Sequence, residues 1–484
     1  MKKLMTILFT IFALNTVGLP QLVLASDSES RVELSSNHES SQQAMIHSDM
    51  LKQLHAEFLE AGDEEGFWQE IAQISDSGNY PFVEELQEQS YADEDYIQLT
   101  FLHREGESEP DNVMFFASIN HVLAEELLFE KITGTGVYFK SVEVPRGVRF
   151  SYRIIENDPL TGLFASARIG SRLHLLGGDP DPFNPNKTVF PGRLMGRDYI
   201  ETWVELEGAA SQPYLVEQGN SRGEVLVEER ASRRLGYSHN IHTYLPPEYD
   251  PQSEYPLLIL FDAQDYFNVG SLQTTLENLI ADGSIPPLLV LGINAGTKNG
   301  QDQRNYELTA SPLYREYLQE ELLPWFTSKY NISPDPERRV IAGSSFGGLF
   351  SAYFAFSHPE SVANVISQSG SFHWGKREEE FAYEWLTREF AFAERKPISL
   401  FMEVGMLEAE YHLKSPYFPH QILSNRHFKT VLDMKGYDVF CQEYAGGHEM
   451  LSWRGGIAEG LKHVFEVSSA EFNTTASIVT TGDK

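Results

Sequence analysis

Arg339-Val340-Ile341-Ala342-Gly343-Ser344-Ser345-Phe346-Gly347-Gly348-Leu349-Phe350-Ser351-Ala352-Tyr353-Phe354 passes from an apolar strand, through a run of small residues, into an apolar helix. Its centre fits G-x-S-x-G, a weak signal as a bare string in a chain rich in Gly and Ser; the strand before it and the helix after it give it meaning. Small residues around Ser345 permit the tight turn that lifts its hydroxyl above a parallel sheet and points the Phe346 N–H at a developing oxyanion. An ordinary glycine-rich turn is the alternative.

The surrounding sequence supplies the sheet. Leu257-Leu258-Ile259-Leu260-Phe261 and Pro287-Leu288-Leu289-Val290-Leu291 are continuous apolar runs, suited to strands covered on both faces. Leu313, Tyr317, Leu318 and Leu322 recur at helical spacing, and Ile398 to Val404 reads as a later strand. Strand and helix in alternation predict an α/β domain with a mostly parallel, doubly wound sheet over 223–467.

A serine hydroxyl is a poor nucleophile near neutral pH and needs a general base. Asp438 to Tyr444 reads as the last core strand, and His448 follows it in the loop Ala445-Gly446-Gly447-His448, which makes it the candidate base. The orienting acid is expected between the two, just after the penultimate strand. Glu408 sits there with Glu410 two residues on, and either could hold the imidazole tautomer. Asp262-Ala263-Gln264 ends the Leu257–Phe261 strand, so a backbone N–H of Ala263 or Gln264 would join that of Phe346 in an oxyanion hole. His239 and His242 are three apart in a β-prone stretch, face opposite sides and make a poor metal pair.

The amino-terminal half has a different texture. Tyr96 to Phe101, Val113 to Phe116, Gly136 to Phe139 and Arg149 to Ile154 are short β-prone runs between turn residues, which predicts an antiparallel, immunoglobulin-like β-sandwich over 66–192. Asp179-Pro180-Asp181-Pro182-Phe183-Asn184-Pro185 reads as a rigid boundary loop, followed by a connector, 193–222. Lys2-Lys3, the apolar run from Leu4 and Val23-Leu24-Ala25 have the layout of a secretory signal over 1–25, predicting export to a periplasm or the exterior and no stable membrane insertion after cleavage. Residues 26–65 read as a flexible linker and 468–484 as a disordered tail.

Composition narrows the function classes. The chain has 484 residues, room for two or three domains, and its net charge of −33 argues against nucleic-acid partners. A lone Cys441 excludes an intrachain disulfide and a Cys-rich metal site, and no cofactor or metal is called for. The sequence leaves oligomeric state open.

Several of these segments together resemble the enterochelin esterase family, whose members hydrolyse the lactone esters of catecholate siderophores. The resemblance rests on Gly343 to Leu349, on Ser367-Gln368-Ser369-Gly370-Ser371-Phe372-His373-Trp374, and on Gly446-Gly447-His448-Glu449 with Trp453-Arg454-Gly455-Gly456. Arg304-Asn305-Tyr306-Glu307-Leu308 is similar to a further element of the family, and Phe67-Trp68-Gln69-Glu70, Leu99 to Leu102 and Asp181 to Pro185 to its amino-terminal sandwich. It implies an α/β-hydrolase behind a sandwich domain, Ser345 as nucleophile, His448 as base and an acid at Glu408. The expected activity is serine-ester hydrolysis of a small-molecule substrate, with a ferric siderophore among the candidates. The chain departs from the family at Asp262-Ala263, where Asp-Gly is usual. Because ferric tricatecholates are anionic, Arg304 and Arg454, beside Trp453, are the expected substrate contacts. An exported carbohydrate or feruloyl esterase, and a non-catalytic binding protein with a degenerate site, are the competing readings.

Overall fold

The computed structural model of the chain describes residues 46–86, 96–117, 127–157, 178–194, 197–376, 383–408 and 421–479. Among these residues the first region holds eight strands: β1 (Phe82–Glu85), β2 (Tyr96–Arg104), β3 (Val113–Ala117), β4 (Glu130–Lys131), β5 (Val137–Pro145), β6 (Arg149–Glu156), β7 (Lys187–Leu194) and β8 (Arg197–Glu205). They form two antiparallel four-stranded sheets, ordered β1-β2-β5-β4 and β3-β6-β8-β7. Ile97, Leu99 and Phe101 alternate along β2 and meet Val113, Phe115, Phe150, Tyr152 and Ile154 of the other sheet in one buried core. Period-two alternation with one face inward is what a sandwich requires.

The sequence-based boundaries need four corrections. The sandwich extends through β8 to Glu205, so 193–222 is not wholly a connector. The Asp179–Pro185 loop lies inside the sandwich, because Asp181 is buried, accepts hydrogen bonds from Tyr80 Oη (3.0 Å) and Tyr152 Oη (2.8 Å), and receives Phe183 N–H (2.9 Å). Residues from Asp49 onward are helical rather than a flexible linker: Asp49–Leu54 and Glu64–Asp76 bury Leu51, Leu54, Phe67, Trp68 and Ile71 against the sandwich, with Ser48 and Asp63 as N-caps. At the other end the helix Met450–Val479 runs through most of the expected tail, with no Gly or Pro after Gly460 to break it. Residues 1–45 and 480–484 lie outside the described residues.

The second region is one ten-stranded sheet, made of β9 (Glu224–Ala231), β10 (Ser238–Leu245), β11 (Leu257–Phe261), β12 (Leu289–Ile293), β13 (Thr297–Lys298), β14 (Gln301–Asp302), β15 (Arg339–Ser344), β16 (Asn364–Gln368), β17 (Ser399–Gly405) and β18 (Asp438–Tyr444). Its order is β14-β13-β10-β12-β11-β15-β16-β17-β18, with β9 also on β10. From β12 to β18 all neighbours are parallel. Successive residues of β11 enter two cores: Leu257, Ile259 and Phe261 on one face, Leu258 and Leu260 on the other. That explains the unbroken apolar run, and truncating one of these side chains to Ala should cost about 2–5 kcal/mol. The result is an α/β-hydrolase fold. The chain leaves β11 toward β12 on one side and later places β15 on the other. The crevice at the carboxyl ends of β11 and β15 is therefore a topological switch point, where open α/β sheets bind ligands.

Candidate active site

Ser345 stands at that crevice. It follows β15 with φ 58° and ψ −120°, and the helix Phe346–Ser357 starts on the next residue. Such a conformation costs a non-glycine residue on the order of 1–3 kcal/mol and persists only where its surroundings enforce it. The glycines provide the space. A Cβ on Gly343 would lie 2.8 Å from the Gly347 carbonyl carbon, and one on Gly348 would lie 2.6 Å from Ser367 Oγ. Ser345 N–H donates to Gln368 O (2.9 Å), and Ser345 O accepts from Ser371 N–H (3.0 Å), which ties the turn to the end of β16.

The acid and the imidazole meet as the sequence predicts. His448 Nδ1 lies 2.7 Å from Glu408 Oε2; the carboxylate is fully buried and the imidazole is 23% exposed. Glu408 Oε1 accepts from Ser369 Oγ (2.6 Å) and from the Gly405 N–H (2.8 Å). A buried carboxylate needs such donors to stay ionised and fixed. With Nδ1–H turned to Glu408, Nε2 is left as the acceptor. The hydrogen bond made by the Ser345 hydroxyl here is with Ser371 Oγ (3.2 Å), not with the imidazole. Serine–base contacts are often open in a site without substrate. Glu410, the other candidate acid, lies outside the described residues.

Phe346 and Ala263 each occupy the first position of a helix, where the amide N–H has no intrahelical acceptor. Gln264, the other expected donor, gives its N–H to Asn294 Oδ1 (2.8 Å), which removes it from the oxyanion hole. The Asp262-Ala263 departure is accommodated by Gly292 on β12, where an added Cβ would sit 2.7 Å from the Ala263 methyl.

The three residues expected to touch substrate do other work. Arg304 forms a fork on Asp262, Nε to Oδ1 and Nη2 to Oδ2, both 2.7 Å, and so braces the turn that carries Ala263. Arg454 Nε donates to Gln212 Oε1 (3.0 Å) and its guanidinium lies 6.0 Å from the Trp203 ring, on the side facing the sandwich. Trp453 is buried; its ring meets that of His448 edge to face at 4.8 Å, and its Nε1–H donates to Ser369 Oγ (3.0 Å). His239 and His242 are far apart in function, the first paired with buried Glu307 (2.8 Å), the second with Asn294 (3.1 Å).

Sequence reasoning had no role for Ser369, Ser371 or Asn294. The signal for the two serines was the small-residue run after β16, whereas Asn294, just past β12, carried none. Beneath them lies Glu403, fully buried and pushed up to about 7 by burial, against the opposing effect of hydrogen bonds from Gln368 (2.6 Å) and Gln442 (3.1 Å).

With this geometry in hand, comparison with known proteins is informative. The family model described as "Putative esterase" matches residues 232–464. An iron(III) enterobactin esterase of Dickeya dadantii is 26% identical over 443 residues, 82% of this chain and 92% of that one. A ferric enterobactin esterase structure from Salmonella typhimurium aligns with TM-score 0.64 at 24% identity, covering 79% of this chain and 96% of the other. A Shigella flexneri enterobactin esterase, solved in the presence of enterobactin, aligns with TM-score 0.59 at 24% identity, over 78% and 95%. The resemblance to the enterochelin esterase family is borne out, and it spans the sandwich as well as the hydrolase region. The chain is a serine carboxylic-ester hydrolase.

Proposed function

We propose that the chain hydrolyses the ester or lactone bonds of a catecholate siderophore of the enterobactin type through an acyl-enzyme on Ser345. The observation that carries this is the conjunction of the Ser345, Glu408–His448 arrangement with likeness to an enterobactin esterase along 82% of the chain. His448 Nε2 takes the Ser345 proton as Oγ attacks the carbonyl carbon, and Glu408 steadies the imidazolium. The N–H groups of Phe346 and Ala263 receive the oxyanion. Collapse expels the alcohol, which takes its proton from His448, and water deacylates the serine by the same route in reverse.

The charge distribution favours the iron-free form. A ferric tricatecholate is anionic, the chain carries −33, and both arginines expected to hold it are engaged inside the protein. The uncharged lactone is the better-matched substrate. Lys2-Lys3, the apolar run and Val23-Leu24-Ala25 support export, which sequencing the mature amino terminus would test. Chromatographic assay of iron-free and ferric enterobactin is the decisive measurement. Release of linear dihydroxybenzoylserine products, faster from the iron-free form, is expected; no turnover of either sinks the substrate reading.

A further inference from the structure

The sheet β3-β6-β8-β7 has a gap. Along β6, β8 covers one edge from Arg149 to Tyr152, whereas among the described residues β3 covers the other from Tyr152 to Glu156. The free stretch, Arg149 to Ser151, is taken by the histidine loop of the hydrolase region. Arg149 N–H donates to Ala445 O (3.1 Å), Arg149 bridges Gly446 in parallel, and Ser151 N–H lies 3.1 and 3.0 Å from the two carboxylate oxygens of Glu449. Thus the loop that ends in His448 adds an isolated parallel bridge to the sandwich sheet, and the side chain of the residue after His448 stands in for a main-chain acceptor.

The acid loop joins the same ladder from the far side. Leu407 N–H donates to Gly446 O (3.1 Å) and Met406 N–H to Tyr444 O (2.8 Å). Gly446 is confined between the two: a Cβ there would lie 3.0 Å from Arg149 O, and one on Gly405 would lie 2.3 Å from Gly446 O. Leu407 and Ala445 both pack on the apolar core of the sandwich. Glu449 has a second attachment, because its carbonyl accepts from the N–H groups of Ser452 and Trp453 (3.2 Å each), and Trp453 is the ring set against His448.

We infer that the sandwich is a working part of the hydrolytic site, and that Glu449 is a positioning residue through which β6 fixes the place of His448 relative to Glu408. This goes beyond the choice of substrate and holds for any ester that Ser345 attacks. Glu449 is buried, so removing its carboxylate takes away the acceptor of the Ser151 N–H, and the loop loses its anchor at the position next to the base. A misplaced base slows both proton transfers while leaving the binding surface intact, which separates kcat from KM.

The test uses the full chain with p-nitrophenyl acetate, a neutral ester independent of the siderophore reading. Glu449→Ala is expected to lower kcat about 10- to 100-fold with KM within twofold, and to lose the low-field proton resonance of the His448–Glu408 hydrogen bond. Glu449→Gln keeps one acceptor for Ser151 N–H and should recover part of both. Fluorophosphonate labelling of Ser345 should slow in parallel with kcat. Unchanged kcat and an unchanged resonance in either folded variant overturn the inference. So does a loss of rate that follows only the fraction unfolded at the assay temperature, and so does Glu449→Gln performing no better than Glu449→Ala. Should Glu449→Ala fail to fold, Glu449→Gln alone decides by the same resonance and rate.

Discussion

Each half of the molecule buries a carboxylate in a nest of hydroxyl and amide donors, and only one of these two meets an imidazole. In the sandwich, Asp181 receives two tyrosine hydroxyls and the Phe183 N–H; all its partners hold their protons at neutral pH, and the network closes on itself. In the hydrolase region, Glu408 receives the Ser369 hydroxyl and the Gly405 N–H, but its second oxygen meets an imidazole that is 23% exposed to the crevice. A buried acid becomes functional when one partner can exchange a proton and can reach substrate. Desolvation and donor count are much alike in the two nests.

The sharpest break between the two nests is at the nucleophile. Ser345→Ala should reduce ester turnover roughly 10⁴- to 10⁶-fold with little change in Tm, since only the oxyanion donors and binding remain. A variant with near-normal turnover would remove the hydrolase nest from the reaction. Glu408→Gln should then cost roughly 10²- to 10⁴-fold in kcat, because an amide no longer stabilises the imidazolium or enforces the tautomer. Its counterpart Asp181→Ala should leave kcat within about threefold and instead lower stability by about 2–4 kcal/mol, as two buried tyrosine hydroxyls lose their acceptor. Calorimetry and kinetics on the pair would show the opposite signatures; a large kcat loss from Asp181→Ala would erase the distinction.

Arg304→Ala tests a smaller effect. It should lower kcat about tenfold on neutral and anionic esters alike, because the fork on Asp262 braces the turn that holds Ala263. A rise in KM confined to anionic esters would restore it as a substrate contact. The smallest effect concerns pH. Glu403 titrates at about 7 and Asp181 at about 6, both raised by burial. A carboxyl with a raised folded-state value favours the folded state while protonated, and that contribution is lost as pH climbs through about 6 to 7. Glu403→Gln should flatten the decline in stability between pH 5 and pH 8 by on the order of 2 kcal/mol. Identical denaturation profiles for wild type and variant would show that the Glu403 carboxyl titrates normally.

What the sequence revealed and concealed follows from how local each determinant is. The serine turn was legible because glycines, strand and helix lie within a single run, and His448 and the acid loop of Glu408 and Glu410 because chain order and strand ends place them. The partners of the arginines were not legible because the type of a charge says nothing about a partner 42 positions away, as for Arg304 and Asp262, or 242 away, as for Arg454 and Gln212. The same distance hid the extent of the sandwich: β8 looks like a connector until Thr202 is seen closing on Asp181. Gln264 failed as an oxyanion donor for want of one fact, that Asn294 from the next strand already takes its N–H.

The gap in the sandwich sheet also sets an order of events during synthesis. Arg149 to Ser151 leave the ribosome nearly 300 residues before the loop that pairs with them. At about 5–20 residues per second, the free edge of β6 waits on the order of 15 to 60 s for its partner. An unpaired edge invites other strands, so the growing chain carries a hazard of misassociation in that interval. The hazard ends only when the residues around His448 arrive.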